Sequence, residues 1–146
     1  MRKLKPFIWN IFYWLFHFWQ LLNAVRNMKY EKEKLKTLAN VRTLMNKFVW
    51  TEEKTNWMSW VITTFNRDYE GDCEDSALLD KWALKKIGIK SDLYVLSSDR
   101  YSHMVTINKD KNIMISNASV IKFDAVDWKE KVLSFFQNNY TQIEKY

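Results

Sequence analysis

The sequence contains very little glycine, proline or cysteine. Its 146 residues include 2 Gly, 1 Pro and 1 Cys, with 2 His. One cysteine excludes an internal disulfide, and this Cys/His content excludes a clustered zinc site. No Ser/Gly/Pro-rich stretch indicates a linker, and no repeat is present. We therefore expect one globular unit with no metal and no cofactor.

Hydrophobic residues make up 47% of the chain and aromatics 16%, which is sufficient for a packed core. Charge is distributed unevenly. Residues 1–47 carry 10 Lys/Arg and 2 acids, whereas residues 48–146 carry 13 and 15. This change predicts a basic, aromatic-rich N-terminal helical segment over 1–47 and a domain over 48–146. An anionic partner should meet the basic segment.

The N-terminal segment begins with an aromatic run, PFIWNIFYWLFHFWQLL, at residues 6–22. Three interpretations are open: a signal peptide, a membrane-inserted or interfacial anchor, and a helix that docks on the protein's own core or on another protein. The third is favoured. Cytoplasmic, membrane-associated and virion-associated locations all remain open.

The next residues, 28–47, predict one helix with Lys and Arg between apolar positions, and residues 51–64 indicate the start of another helix. Basic residues along a helix usually form a solvated face. Because no glycine-rich or base-reading motif accompanies them, nucleic-acid binding is not expected.

The only cysteine lies in the stretch EGDCEDSA, residues 70–77. Asp72 and Asp75 have the spacing of a capping box, and Gly88 supplies a stop, so the spacing predicts a helix over Cys73–Ile87. A thiol at the first helical position meets unpaired N–H groups that stabilise its thiolate. We expect the acids to stabilise the helix and to point away from the sulfur.

The rest of the chain predicts a small antiparallel sheet followed by a helix. Predicted strands lie at 91–97, 102–108 and 112–117, with a hairpin turn at 109–112, a possible extension at 120–123 and a helix capped by Asp127. His103 falls on the second strand. The resulting fold class is α+β, with a thiol on a helix end facing an imidazole on a strand.

The stretch from Gly71 to Ser119 resembles the core of the transglutaminase-like superfamily within the papain-like fold. The similarity is strongest to small bacterial and phage cysteine peptidases of the bacterial transglutaminase-like type. Their pattern is a Gly-Asp-Cys-Glu/Asp-Asp-x-Ala helix start, Gly-Ile after the helix, His followed by apolar residues, and Asp or Asp-Asn on the next strand. The resemblance implies a Cys-bearing helix packed on a small antiparallel sheet, here with an added N-terminal helical segment.

The resemblance also implies roles for individual residues. Cys73 would be the nucleophile and His103 the base. The family has Asp as the third residue, where this chain offers Ser116 or Asn117. Strand alternation, with the apolar side taken as the core, favours Asn117 as the residue that orients the imidazole. That choice requires an odd loop or a bulge, because simple pairing would put Ala118 opposite His103.

Two functions follow as hypotheses. The first is thiol-dependent acyl transfer, preferentially hydrolysis of a peptide or amide in a protein substrate. The alternative is a catalytically lapsed domain that serves assembly through its aromatic N-terminal helix, at a membrane or in a virion. Without the motif, Cys73 and His103 would be interpreted as ordinary core residues. The spacing of Asp68, Asp72 and Asp75 suits a loop and a cap better than a metal cluster.

Overall fold

The computed structural model describes residues 18–52, 61–117, 119–124, 126–137 and 139–146. Within them the elements follow the order α1 (Phe18–Lys34), α2 (Leu38–Met45), β1 (Val49–Trp50), α3 (Val61–Asn66), β2 (Glu70–Gly71), α4 (Cys73–Lys86), β3 (Asp92–Ser97), β4 (Ser102–Asn108), β5 (Ile113–Ser116), β6 (Ser119–Lys122), α5 (Trp128–Phe135) and β7 (Gln142–Lys145).

A five-stranded antiparallel sheet organises the fold. Its strand order is β6-β5-β4-β3-β7, and β1 and β2 form a separate short parallel pair. Both sides of the central strands are covered, so every residue of β5 and residues 103–108 of β4 are buried. The predicted α+β fold class is confirmed.

The helix α4 packs on one side of this sheet. Its residues Leu79, Ala83 and Leu84 share a core with Ile113 and Ile115 of β5. The same core takes in Ala24 of α1 and Val41, Leu44 and Met45 of α2. On the other side, Val105, Ile107 and Met114 pack with Val132 of α5. The sheet is thus a central layer between helices.

The helix predicted over 28–47 is divided in two. Thr37 has extended backbone angles, and its side chain accepts a hydrogen bond from the Asn40 N–H (3.3 Å), while Asn40 Oδ1 accepts from the Thr37 N–H (3.0 Å). This reciprocal capping box stops α1 at Lys34 and starts α2 at Leu38. The Thr-x-x-Asn spacing is the sequence signal for this new helix start. It was missed because the apolar periodicity continues across Thr37.

Other local predictions have mixed outcomes. The helix after Asp72 is confirmed as α4, and Gly88 has the positive φ (+77°) that a stop needs. Asp127 lies at the N-cap of α5 but makes no side-chain cap bond. The last strand, β7, was not predicted. It pairs with β3 and closes the sheet on that edge.

Two predicted segments fall partly or largely outside the described residues. The aromatic run at 6–22 is described only from Phe18 onward, inside α1, and the helix start at 51–64 only at 51–52 and from Val61. In the described part of the chain, no helix is both long and apolar enough to cross a membrane.

Candidate active site

The start of α4 is held by a network of local hydrogen bonds. Asp72 Oδ1 accepts from the N–H groups of Glu74 (2.9 Å) and Asp75 (3.3 Å), and Asp75 Oδ2 accepts from the Asp72 N–H (3.4 Å). The predicted capping box is confirmed. Gly71 allows it, because a Cβ there would overlap the Asp75 side chain, lying 2.8 Å from its Cγ. The network fixes the first turn, and with it Cys73.

Cys73 is half-buried against Ala77, Leu93 and Met104. Burial raises the pKa of its thiol, the charges of Asp72 and Glu74 raise that pKa further, and the backbone N–H of Met104 acts in the opposite direction. The backbone N–H of Cys73 itself also lowers that pKa, as expected for a helix start, but the net shift is upward. Desolvation outweighs the nearby N–H groups, and the acids act on the sulfur as well as on the helix.

His103 is buried on the side of the sheet that faces α5. Its Nε2 shares a hydrogen bond of 2.8 Å with Ser116 Oγ. The ring meets Phe136 edge-on (centroids 5.4 Å apart) and stacks on Tyr140 (6.1 Å, 21° between planes). Burial lowers the pKa of the imidazole, because the charged form loses hydration. Phe136 and Tyr140 are called the aromatic pair below.

Ser116, rather than Asn117, lies beside the imidazole. Strand β4 pairs with β5 in a simple register that puts Thr106 opposite Ile115. Continued by one residue, this register would put Val105 opposite Ser116. Ser116 is therefore on the His103 side, whereas Asn117 is exposed in the following turn with φ +45°. The expected placement of Asn117 is wrong. Both sides of β5 are buried, so apolar character did not distinguish the two faces.

Cys73 and His103 meet the same end of β4 from different sides of the sheet. Cys73 packs with Met104, the residue after His103. The backbone N–H of Met104 lowers the pKa of the Cys73 thiol. Tyr140 connects the two: it stacks on His103, and its pKa is raised by burial and then by Cys73. Among the hydrogen bonds of the described residues, none joins the Cys73 sulfur to the imidazole. Met104 and Tyr140 are the described residues that lie near both groups.

Sequence reasoning gave no role to the aromatic pair. Phe136 follows α5, the helix predicted after Asp127, and Tyr140 lies just before β7, a strand that was not predicted. No local pattern connects either residue with His103. The sequence offered both Ser116 and Asn117 for the position beside His103, so the signal for Ser116 was present.

Two acids of α4 are buried away from the imidazole. Asp80 is 0% exposed, and within the described residues neither of its carboxyl oxygens has a hydrogen-bond partner. Burial raises its pKa well above the ordinary value. Asp75 has Arg67 Nη1 at 3.9 Å from Oδ2. Burial and the charge of Asp72 raise the pKa of Asp75, and Arg67 lowers it.

The comparisons with known proteins give structural similarity but no sequence match. A scan of protein-family models finds no match, and a search of curated proteins finds no relative. Among solved structures, calcium-bound LapG of Legionella pneumophila, a bacterial transglutaminase-like cysteine protease, is similar with a TM-score of 0.51 and 18% identity. The match covers 67% of this chain and 66% of that one, just under two thirds. At this identity it supports the α+β fold alone.

The LapG structure is calcium-bound, so we asked whether the residues of this chain could hold a calcium ion. In this chain, Asp72 and Asp75 already accept backbone N–H groups. Among the residues that the structure describes, no group of three or more His, Cys, Asp or Glu side chains is arranged to hold a metal ion. These residues do not fit a calcium site, and no step below involves a metal.

Proposed function

We propose that the protein catalyses thiol-dependent acyl transfer, preferentially hydrolysis of a peptide or amide bond in a protein substrate. Cys73 is the nucleophile and His103 the base. Ser116, in place of Asn117, orients the imidazole. The observation that carries the proposal is the 2.8 Å hydrogen bond between His103 Nε2 and Ser116 Oγ. The fold shared with LapG supports it.

This hydrogen bond has a chemical consequence. If Nε2 carries the ring proton and donates it to Ser116 Oγ, Nδ1 keeps a lone pair that can accept a proton. Nδ1 then takes the proton of the Cys73 thiol while sulfur attacks the substrate carbonyl carbon. The protonated ring returns that proton to the departing amine, which leaves a thioester. Water, deprotonated by Nδ1, releases the acid and the thiol.

The pKa directions favour proton transfer during attack over a preformed ion pair. The thiol pKa is raised and the imidazole pKa is lowered, so burial keeps both groups neutral. The reaction requires Sγ and Nδ1 to come within hydrogen-bonding distance, which substrate-free sites often achieve only when substrate binds. Tyr140, which neighbours both groups, is the side chain that would shift as they close.

A thiol-reactive probe tests this proposal directly, because Cys73 is the only cysteine. We expect iodoacetamide to label the wild type and not Cys73→Ala. His103→Ala should slow labelling by at least about tenfold, since a positioned base commonly contributes that much or more. His17→Ala, which removes the other histidine, is the matched control. Equal labelling of His103→Ala and wild type would exclude the Cys–His pair.

Turnover is measured separately from labelling. A peptide library incubated with the wild type and with Cys73→Ala should yield cleavage products only with the former, as read by mass spectrometry. A thiol that depends on His103 for labelling but cleaves nothing would instead favour the lapsed domain. One observation favours this second candidate: the hydroxyl of Ser116 bonds to His103 where the family that the sequence resembles has a carboxylate.

A further inference from the structure

The outward side of α1 has an apolar half and a basic half. The helix packs on α3 and buries Ala24 and Glu31 on that side. On the opposite side, residues recur at three- and four-residue spacing, which places them on one stripe. The stripe consists of Phe18, Leu22, Val25, Lys29 and Lys32, all of them exposed.

The first half of this stripe leaves large apolar side chains in solvent. Phe18 is 51% exposed, Leu22 42% and Val25 48%, and the adjacent Trp19 is 76% exposed. Exposed apolar residues are normal when scattered, but four on two turns of one helix form a patch. In the sequence, the aromatic run at 6–22 continues into this patch.

The second half of the stripe is cationic. Arg26 is exposed beside Lys29 and Lys32, and the first turn of α1 contains no acid. Of the two acids in α1, Glu31 is buried in an ion pair with Lys47 and so does not offset the exposed charges. Only Glu33 does. The stripe therefore changes from apolar to positively charged along the helix.

We propose that α1 docks on an anionic lipid bilayer, with Phe18–Val25 at the boundary between headgroups and acyl chains and Arg26–Lys32 against the negative headgroups. A helix with this arrangement enters the interface with its first two turns, where Trp19 places its ring in the apolar layer and its N–H in the polar one. Lys and Arg add attraction to acidic lipids. The charge complementarity selects this occupant over a neutral apolar partner, and it is independent of the thiol chemistry.

Vesicle flotation with the full chain tests the proposal. Vesicles of phosphatidylcholine are compared with vesicles that also contain phosphatidylserine. We expect binding to the acidic vesicles to be at least about tenfold tighter and to weaken with added salt, since each basic residue near such a surface contributes about fivefold. Leu22→Glu/Val25→Glu should reduce binding by more than about tenfold, and Arg26→Glu/Lys29→Glu should remove the preference for acidic lipid.

The control is Val126→Glu, an exposed apolar position outside α1, at 89% exposure. It should bind as the wild type does, and thermal melting confirms that each variant is folded. Equal binding to both kinds of vesicle, or unchanged binding of the Leu22/Val25 variant, would overturn the proposal. Absence of vesicle binding together with self-association that this variant abolishes would also overturn it, by assigning the stripe to a second copy of the chain.

Discussion

On each side of the five-stranded sheet, one ionisable side chain is buried without an oppositely charged partner among the described residues. On the α4 side, Asp80 is fully buried without a cation or hydrogen-bond donor among the described residues. On the α5 side, His103 is buried and bonds to the hydroxyl of Ser116, and no carboxylate of the described residues pairs with it. Burial raises the pKa of the acid and lowers that of the imidazole.

Desolvation is the cause of both shifts, so neither buried group has an opposite charge close enough to hold it in its charged form. An acid and a base within about 4–6 Å favour each other's charged forms, whereas isolated buried groups favour the neutral ones. The covered sheet keeps Asp80 and His103 in the second situation. Two variants test this comparison and a third tests the crowding at the start of α4; they follow from the largest expected effect to the smallest.

Gly71→Ala should have the largest effect, because it disturbs the start of α4. The new Cβ would collide with the Asp75 side chain, whose Cγ would be 2.8 Å away. We expect the free energy of unfolding in urea to fall by about 3 kcal/mol. Gly88→Ala is the control: that site is open, although its φ of +77° adds strain of about 1 kcal/mol. An equal loss in both variants would contradict the crowding argument.

Asp80→Asn removes the unpaired acid. Burial raises the pKa of Asp80 in the folded state, so the folded protein favours the neutral acid. The stability that this group contributes is therefore complete below its pKa in the unfolded chain, and it is lost as the pH rises through its pKa in the folded protein. The variant should therefore be more stable than wild type at neutral pH, by about 2 kcal/mol, with a smaller difference in acid. Thermal melts across the pH range measure this.

The control for Asp80→Asn is Asp110→Asn, which alters an exposed acid in the β4–β5 turn. It should leave stability unchanged at each pH. If Asp80→Asn proves less stable than wild type at neutral pH, the side chain has a partner in solution and the comparison between the two sides fails.

Ser116→Asp adds the missing carboxylate on the other side. A negative charge beside Nε2 should raise the pKa of His103 and stabilise the imidazolium that forms during proton transfer. We expect iodoacetamide labelling of Cys73 near neutral pH to accelerate by about tenfold. Asn117→Asp, in the exposed turn, should change little. In a His17→Ala background, the single histidine signal in NMR reports the pKa, and an unchanged value would refute the argument.

Features encoded by neighbouring residues were predictable from the sequence. Asp72 and Asp75 specify the start of α4, Gly88 specifies its end, and the three predicted strands correspond closely to β3, β4 and β5. Cys73 was assigned to its helix position for the same reason. The division at Thr37 was missed although its signal is local, because apolar spacing continues across it.

Features that depend on distant parts of the chain were not predictable in the same way. Strand alternation identifies a buried face only when the other face is in water, and β5 is buried on both. Ser116 and Asn117 therefore could not be separated by polarity. The placement of Tyr140 depends on β7, a short strand whose partner β3 lies far away in the sequence.

That last pairing has a consequence for the order in which the site is completed during synthesis. Cys73, His103 and Ser116 all leave the ribosome before Phe136, Tyr140 and the strand that anchors them to β3. A nascent chain that ends before Phe136 therefore contains both reactive groups, while the imidazole still lacks its two aromatic neighbours. The contacts of His103 with these two rings are therefore complete only after residue 140 has been synthesised.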